Sequence, residues 1–334
     1  MSSSSVRHQL LVVGGAEVQQ ALPMADCIEA VDRAMRALSG GGAVVPLRTI
    51  MLLPGGANFF GAMPGYLGDP ASLGAKILTV YPANTQRGLP SHVGVVLLFD
   101  TEIGLPLAVI DAAQITAIRT AAASAVATRA LARTEAGGLA ILGTGEQAIT
   151  HLESVSRVRN LSWIRIWGRS YEKARMFAQE QGARLGLRVE AARSAEDAVR
   201  DADIVCTVTA SHEPVLKGSW LARGAHVNLV GASRNTSREC DDEVVTRSRY
   251  FVDSRTSARA EAGELKHATD AGLVDESHIL GEIGEVLGGK VAGRTSVTDI
   301  TVYKSLGVAV QDLAAAHVVY ERALRDSIGT RVPF

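Results

Sequence analysis

The stretch GLAILGTGEQA at residues 138–148 decides the fold. Its first residues predict a buried strand, which runs directly into a GxGxxA pattern that opens a helix. Gly143 permits a tight turn, Gly145 lets the backbone approach a pyrophosphate, and Ala148 permits close packing of helix on strand. The helix N-terminus adds free N–H groups and a positive dipole. The residues predicted to bind a dinucleotide here are Gly143, Thr144, Gly145, Glu146 and Gln147.

Strands and helices alternate from this stretch onward. The apolar strands imply a parallel sheet covered on both faces, so the fold class is α/β with a Rossmann-type doubly wound sheet. The predicted strands are 138–142, 164–167, 189–192, 203–209, 226–230 and 250–252, and the predicted helices begin at 146, 170 and 195.

The end of the second strand indicates which dinucleotide is bound. NAD-specific sites place an acidic residue there to bind the ribose 2′-hydroxyl. This chain has Gly168, Arg169 and Ser170 instead. A guanidinium and a hydroxyl suit a 2′-phosphate, so NADP(H) is favoured over NAD(H). The predicted cofactor residues also include Thr207, Val208 and Thr209, in the strand at 203–209.

The part before residue 138 has a different pattern. Apolar residues at helical spacing predict a helix over 23–39, with Pro23 before it and three glycines after it. Short β-rich runs follow at 47–53, 74–81, 93–99 and 105–110, and they predict an antiparallel sheet or partial barrel. An alanine-rich helix over 112–133 leads into the dinucleotide domain. The final helix, 306–325, is expected to pack back on this first, α+β domain.

Composition excludes several classes of protein. The 334 residues carry a net charge of −1, without the basic excess of a nucleic-acid binder, so small molecules or further copies of the chain are the expected partners. Cys27, Cys206 and Cys240 are far apart and form no CxxC pair, which favours a reducing compartment and argues against a zinc site. No segment has the pattern of a signal peptide or membrane span, so we expect a cytoplasmic protein.

Three cations stand where the sequence is otherwise apolar. Lys76 lies within a strand, Arg119 interrupts the alanine-rich helix and Arg48 lies in the β-rich run VPLRTIML. Buried cations need a partner, so together they predict a pocket for an anionic small substrate, gripped through its carboxylate. His92, after Ser91 at the head of a strand, is a further titratable candidate.

These segments, in this order and over nearly the whole chain, resemble the ornithine cyclodeaminase and μ-crystallin family. The resemblance is carried by the strand around Lys76, the stretch RTAAASA at 119–125, the glycine loop, the run GAHVNLVGASR at 224–234 and YKSLG at 303–307.

The resemblance implies a homodimer whose substrate domains associate. It implies a substrate-binding and dimerisation domain from residues 1–125 and 305–334, with a dinucleotide-binding domain over 126–304. It further implies that Arg48, Lys76 and Arg119 surround the substrate carboxylate, that Thr120 and Arg119 border the cofactor phosphates, and that Ser91 and His92 lie close to the site.

One position separates the branches of the family. Members that resemble cyclodeaminases carry an aspartate where this chain has Ser233, and GASR resembles the μ-crystallin-like ketimine reductases. We therefore expect NAD(P)H-dependent reduction of a cyclic imino acid, such as 1-piperideine-2-carboxylate or 1-pyrroline-2-carboxylate, with Lys76 as candidate proton donor.

Three alternatives remain open at this stage. One is an ornithine or lysine cyclodeaminase with bound NAD, and the second is an alanine dehydrogenase-like or iminosuccinate reductase-like enzyme. The third is a binding protein for a small ligand of the thyroid-hormone type.

Overall fold

The computed structural model describes residues 8–334, apart from the side chain of Thr85. The chain divides into two compact units. The first comprises the described chain up to Arg119 together with Val308–Phe334, and the second comprises Thr120–Gly307. The boundaries from the sequence, 125/126 and 304/305, lie within six residues of these. Residues 1–7 lie outside the described residues. The sequence analysis assigned them to the first domain, and they begin the stretch that was screened for a signal peptide.

The first unit begins with a strand, two helices and a run of further strands. The α2 helix is amphipathic, and its C-terminus is capped by Gly41 in the left-handed conformation. The elements up to the end of the alanine-rich helix are β1 (Gln9–Val13), α1 (Gly15–Ala21), α2 (Met24–Gly40), β2 (Ala43–Val44), β3 (Thr49–Leu52), β4 (Phe59–Gly68), β5 (Ala71–Val80), β6 (His92–Phe99), β7 (Pro106–Asp111) and α3 (Ala112–Leu131). A 3-10 helix spans Pro82–Arg87.

The second unit contains an eight-stranded sheet in the order β10-β9-β8-β11-β12-β15-β13-β14, and every pair in it is parallel. The strand order reverses between β8 and β11, which is where doubly wound sheets bind their ligands. The elements are β8 (Gly138–Leu142), α4 (Glu146–Val158), β9 (Trp163–Trp167), α5 (Tyr171–Leu185), β10 (Val189–Ala191), α6 (Ala195–Val199), β11 (Ile204–Thr207), β12 (His226–Leu229), α7 (Asp242–Thr246), β13 (Ser248–Val252), α8 (Arg255–Glu261), α9 (Gly263–Asp270), β14 (Ile279–Glu282), α10 (Ile283–Leu287) and β15 (Ile300–Lys304). The predicted α/β fold with a parallel sheet is confirmed.

The chain then returns to the first unit as α11 (Ala309–Asp326) and β16 (Thr330–Pro333). The sheet of this unit has the order β16-β1-β7-β6-β5-β4-β2, with β3 paired to β4, and it is antiparallel except where β1 meets β7. Helix α11 packs against α2, β4 and β5, as expected of the final helix. Among residues 8–334, no helix is both long enough and apolar enough to cross a bilayer.

Candidate active site

A buried carboxylate joins two of the predicted substrate-binding cations in the first unit. Lys76 lies on β5, Arg119 on α3 and Asp312 on α11, and all three side chains are buried. Lys76 Nζ and Arg119 Nε both donate to Asp312 Oδ1, over 2.9 and 2.8 Å. Arg119 Nη1 also donates to Gln311 Oε1 over 2.8 Å. We refer to these four side chains as the Asp312 cluster.

The electrostatics of the cluster bring the Lys76 ammonium into the range of physiological proton transfer. The pKa of Lys76 is lowered to about 8, first by burial and then by the positive charge of Arg119. Asp312 acts in the opposite direction, whereas Arg48 adds a smaller lowering effect. A lysine with such a pKa is mostly charged at neutral pH and still able to give up its proton.

The other three predicted residues of the first unit lie nearer the surface. Arg48 is half-buried in the segment before β3, and its charge reaches Lys76. Ser91 Oγ and His92 Nδ1 are 2.9 Å apart at the start of β6. His92 is exposed and lies opposite Val80, four residues along β5 from Lys76, which corresponds to about 13 Å of strand. The structure thus brings Lys76 and Arg119 together, with Arg48 near enough for its charge to affect Lys76. His92 lies farther along the sheet.

The glycine loop of the second unit has the geometry that a dinucleotide needs. Gly143 has φ of +132°, and an added Cβ would lie 2.8 Å from the Val208 carbonyl oxygen. Gly145 precedes α4, and nothing lies within 4 Å of the position of an added Cβ. A Cβ on Gly168 would lie 2.8 Å from Thr144 Cγ2, so the end of β9 packs on the loop. The open backbone at the N-terminus of α4 fits a pyrophosphate.

Arginines rather than acidic residues follow the ends of β9 and β10. Arg169 is exposed, and Ser170 caps α5 by accepting a hydrogen bond from the Lys173 N–H over 3.3 Å. β10 pairs in parallel with β9, and shortly after its end the Arg193 guanidinium lies 4.8 Å from the centre of the Tyr171 ring. Tyr171 is the first residue of α5, so the two arginines flank the start of that helix.

Glu239 organises the ends of β11 and β12. Its carboxylate accepts hydrogen bonds from the Thr207 hydroxyl, from both the backbone N–H and the hydroxyl of Thr209, and from the Gly231 and Ala232 N–H groups. Burial raises the pKa of Glu239, and these donors act against that rise. The predicted residues Thr207 and Thr209 are therefore held in place by a residue that the sequence analysis did not identify.

A second buried ion pair lies beside the loop that follows β12. Lys304, at the end of β15, forms a salt bridge of 3.0 Å with Glu264 and donates to the carbonyl oxygen of Ala232. Glu264 in turn accepts from the backbone N–H of Glu239 over 3.1 Å. Ser233 is the next residue of the loop and is half-buried. The carbonyl group just before Ser233 is thus held by Lys304 of β15, which is paired with Glu264 of α9.

A buried histidine connects the glycine loop's helix to α3 within the second unit. His151 Nδ1 lies 2.7 Å from the carbonyl oxygen of Gln147, and Nε2 lies 2.9 Å from the Ser124 hydroxyl. Burial lowers the pKa of His151 to about 4, so the ring is neutral. The Nδ1–H group therefore donates to Gln147, and Nε2 accepts from Ser124. Thr120, predicted to border the cofactor, is buried one turn earlier on the same α3 helix.

The sequence analysis missed the acidic partners of these sites. Asp312, Glu239 and Glu264 are all buried, and each pairs with residues far away in sequence. The available signal was an acidic residue in an apolar setting, as for Asp312 in the run VAVQDLAAA. Such a carboxylate must be paired, in the same way as the buried cations.

Comparison with known proteins identifies the family of the chain. The model of the ornithine cyclodeaminase/mu-crystallin family matches residues 9–327. The ketimine reductase mu-crystallin of Mus musculus is 40% identical over 282 residues, which are 84% of this chain and 86% of that protein.

Two solved structures share the fold over nearly their whole length. Thermococcus litoralis Delta(1)-pyrroline-2-carboxylate reductase in complex with NADH and L-proline is 38% identical with a TM-score of 0.94, covering 97% of this chain and 100% of that one. An archaeal alanine dehydrogenase dimer with bound NAD is 31% identical with a TM-score of 0.92, covering 98% of this chain and 100% of that one.

Proposed function

Because the chain belongs to the ornithine cyclodeaminase/mu-crystallin family, we propose that it is an NAD(P)H-dependent reductase of small cyclic imino acids. The substrates are 1-piperideine-2-carboxylate or 1-pyrroline-2-carboxylate, and the product is the cyclic L-amino acid. The observation that carries the proposal is the Asp312 cluster, in which a buried lysine that can release its proton lies beside a buried arginine.

The cluster supplies what an imino acid requires of the protein. The cationic side chains Arg48, Lys76 and Arg119 attract and orient the substrate carboxylate. The Lys76 ammonium donates its proton to the imine nitrogen, which makes the imine carbon a better electrophile. A bound reduced nicotinamide supplies the hydride. Lys76 is left neutral and regains its proton from solvent.

In the second unit, the open backbone at Gly145 would hold the pyrophosphate. The other predicted residues of the glycine loop and the ends of β9 and β11 would border the remainder of the cofactor. The Glu239 network would keep Thr207, Thr209 and the loop carrying Ser233 in position for it.

The assay that tests this proposal follows NADPH and NADH oxidation with each cyclic imine, with pyruvate or oxaloacetate plus ammonia, and with L-ornithine as a deamination substrate. We expect rapid oxidation with a cyclic imine. Turnover of oxo acid and ammonia alone would make the protein an amino-acid dehydrogenase or open-chain imine reductase. Ornithine turnover would make it a cyclodeaminase. A protein inactive with all of them would contradict the proposal and favour ligand binding.

We further propose that NADPH is the preferred cofactor. Arg169 and Arg193 flank the start of α5, where an NAD-specific site has a carboxylate. Replacing Arg169 with alanine removes a charged hydrogen bond to the 2′-phosphate, so KM for NADPH should rise by about tenfold or more while KM for NADH changes little. Arg175→Ala, on the exposed face of α5, is the matched control. Equal kcat/KM for NADH and NADPH in the unaltered protein would contradict this preference.

The chain is also proposed to form a homodimer through the sheet of the first unit. Val44, Tyr66 and Leu73 are exposed, and cross-strand pairing places them side by side on β2, β4 and β5. On β3, Ile50, Met51 and Leu52 are exposed as well. Apolar surface of this extent on one sheet is typical of a protein interface, and a second copy of the chain is the occupant we propose.

A further inference from the structure

Asp312 is the only anion that contacts both cations of the cluster among the residues that the structure describes. Its Oδ1 atom accepts from both Lys76 and Arg119. Its Oδ2 atom is buried and accepts no hydrogen bond from residues 8–334. Two buried cations so close together repel each other strongly, and the carboxylate between them offsets that repulsion.

We propose that Asp312 is a positioning residue for the imine reduction: its Oδ1 atom holds the Lys76 ammonium beside Arg119 and keeps the transferable proton on Lys76. This inference rests on the proposed function. The substrate carboxylate then adds to an arrangement that is already built, rather than having to assemble it.

The surroundings of Lys76 support this role. Thr116 Oγ1 on α3 lies 3.4 Å from Nζ, but a hydroxyl brings no charge. Cys27 on α2 is close enough to interact with Arg119 and Asp312, yet burial raises the pKa of its thiol to about 12, so it stays neutral. The positive charges of Arg119 and Arg48 both lower the pKa of Lys76. Asp312 is thus the group that opposes the loss of the proton.

The direction of the effect follows from this balance. Replacing Asp312 with asparagine removes the charge that raises the pKa of Lys76, so that pKa should fall below its present value of about 8. An opposite charge at this distance typically shifts a pKa by about 1 to 3 pH units. Activity that depends on the Lys76 proton should then decline at a correspondingly lower pH.

Nuclear magnetic resonance gives a readout that does not depend on catalysis. The chain contains six lysines, so labelling with 13Cε-lysine yields few signals, and the Lys76 signal is the one lost in Lys76→Met. In Asp312→Asn, the titration midpoint of this signal should fall by at least about 1 pH unit. Asp326→Asn, an exposed position at the end of the same helix, should leave it unchanged.

The pH profile of imine reduction provides the second readout. We expect the alkaline limb of kcat to move with the nuclear magnetic resonance midpoint in Asp312→Asn, with KM for NADPH unchanged. If Asp312→Asn fails to fold, Asp312→Glu keeps the charge and should retain a titration near that of the unaltered protein, with a reduced kcat. An active protein whose Lys76 midpoint and alkaline limb stay in place in Asp312→Asn would overturn the positioning role. Absence of imine reduction in the unaltered protein would instead overturn the proposed function.

Discussion

His151 shows how one buried side chain makes stability depend on pH. Its pKa is about 4 in the folded protein, whereas an exposed histidine, as in the unfolded chain, has a pKa of 6.5. The pKa falls on folding because burial opposes the charged ring. Between these values the unfolded chain binds a proton that the folded chain does not. The free energy of unfolding is therefore fully retained above about pH 6.5 and falls as the pH drops toward 4, by up to about 1.4 kcal/mol per pH unit.

We predict that His151→Asn reduces this loss. Between about pH 7.5 and 5.5, the variant should lose about 1 kcal/mol less stability than the unaltered protein, whatever its absolute stability. Trp163, Trp167 and Trp220 are the three tryptophans and all lie in the second unit, so their fluorescence during urea unfolding reports on the unit that contains His151. Ser124→Ala is the control, since it removes a hydrogen bond but keeps the ring. A slope in His151→Asn equal to that of the unaltered protein would contradict the prediction.

The turn between β8 and α4 separates two uses of glycine. Gly143 has φ of +132°, a backbone conformation that residues with a Cβ rarely adopt, and there is no room for a Cβ beside Val208. Gly145 has φ of −92°, which any residue adopts, and open space around it. The first glycine is therefore required by the fold, whereas the second leaves its backbone open to the proposed ligand.

This difference predicts opposite results for two alanine substitutions. Gly143→Ala should lower the stability of the second unit by about 2 kcal/mol or more, because it combines backbone strain with a close contact. Gly145→Ala should change stability by less than about 0.5 kcal/mol yet raise the Kd for NADPH by about tenfold or more. Tryptophan fluorescence during unfolding and calorimetric titration with NADPH measure the two effects. If the Gly145→Ala protein binds NADPH normally, the pyrophosphate does not bind at this position.

Periodic elements could be predicted from the sequence more closely than the glycine-rich strand β4. Elements with a clear period were predicted closely, as for α2 and for the strands and helices on either side of the glycine loop. β4 was not predicted, because Gly61, Pro64, Gly65 and Gly68 give it the composition of a loop. In the structure, a Cβ on Gly65 would lie 3.0 Å from Ala309 Cβ, so this glycine lets α11 pack on the sheet. That reason lies in a distant part of the chain.

In the candidate site, the buried cations were predicted from the sequence and the buried carboxylates were not. The cations Lys76 and Arg119 were predicted because a charge in an apolar strand or helix is a local anomaly. Their partner Asp312 is 236 residues from Lys76, and nothing in the local pattern of α11 indicates which charges it meets. Glu239 was missed for the same reason, since its five donors lie on the ends of two other strands and the loops after them.

At the scale of the whole molecule, the two units carry different candidate sites. The buried cluster around Asp312 belongs to the first, which is closed by the returning helix α11. The glycine loop and the Glu239 network belong to the second. The apolar residues exposed on the sheet belong to neither candidate site, which is why we assign them to contact with a second copy in the proposed homodimer.

The dimer is tested by placing a charge in that exposed row. Val44→Asp with Tyr66→Asp leaves buried positions untouched, so the chain should remain folded while the desolvated interface becomes unfavourable. Light scattering after size exclusion should give twice the mass of one chain for the unaltered protein and the mass of one chain for the double variant. Ile103→Asp, an equally apolar and exposed position in the turn before β7, should remain a dimer. If the unaltered protein has the mass of a single chain, or if the double variant stays a dimer, this row of the sheet is not the interface.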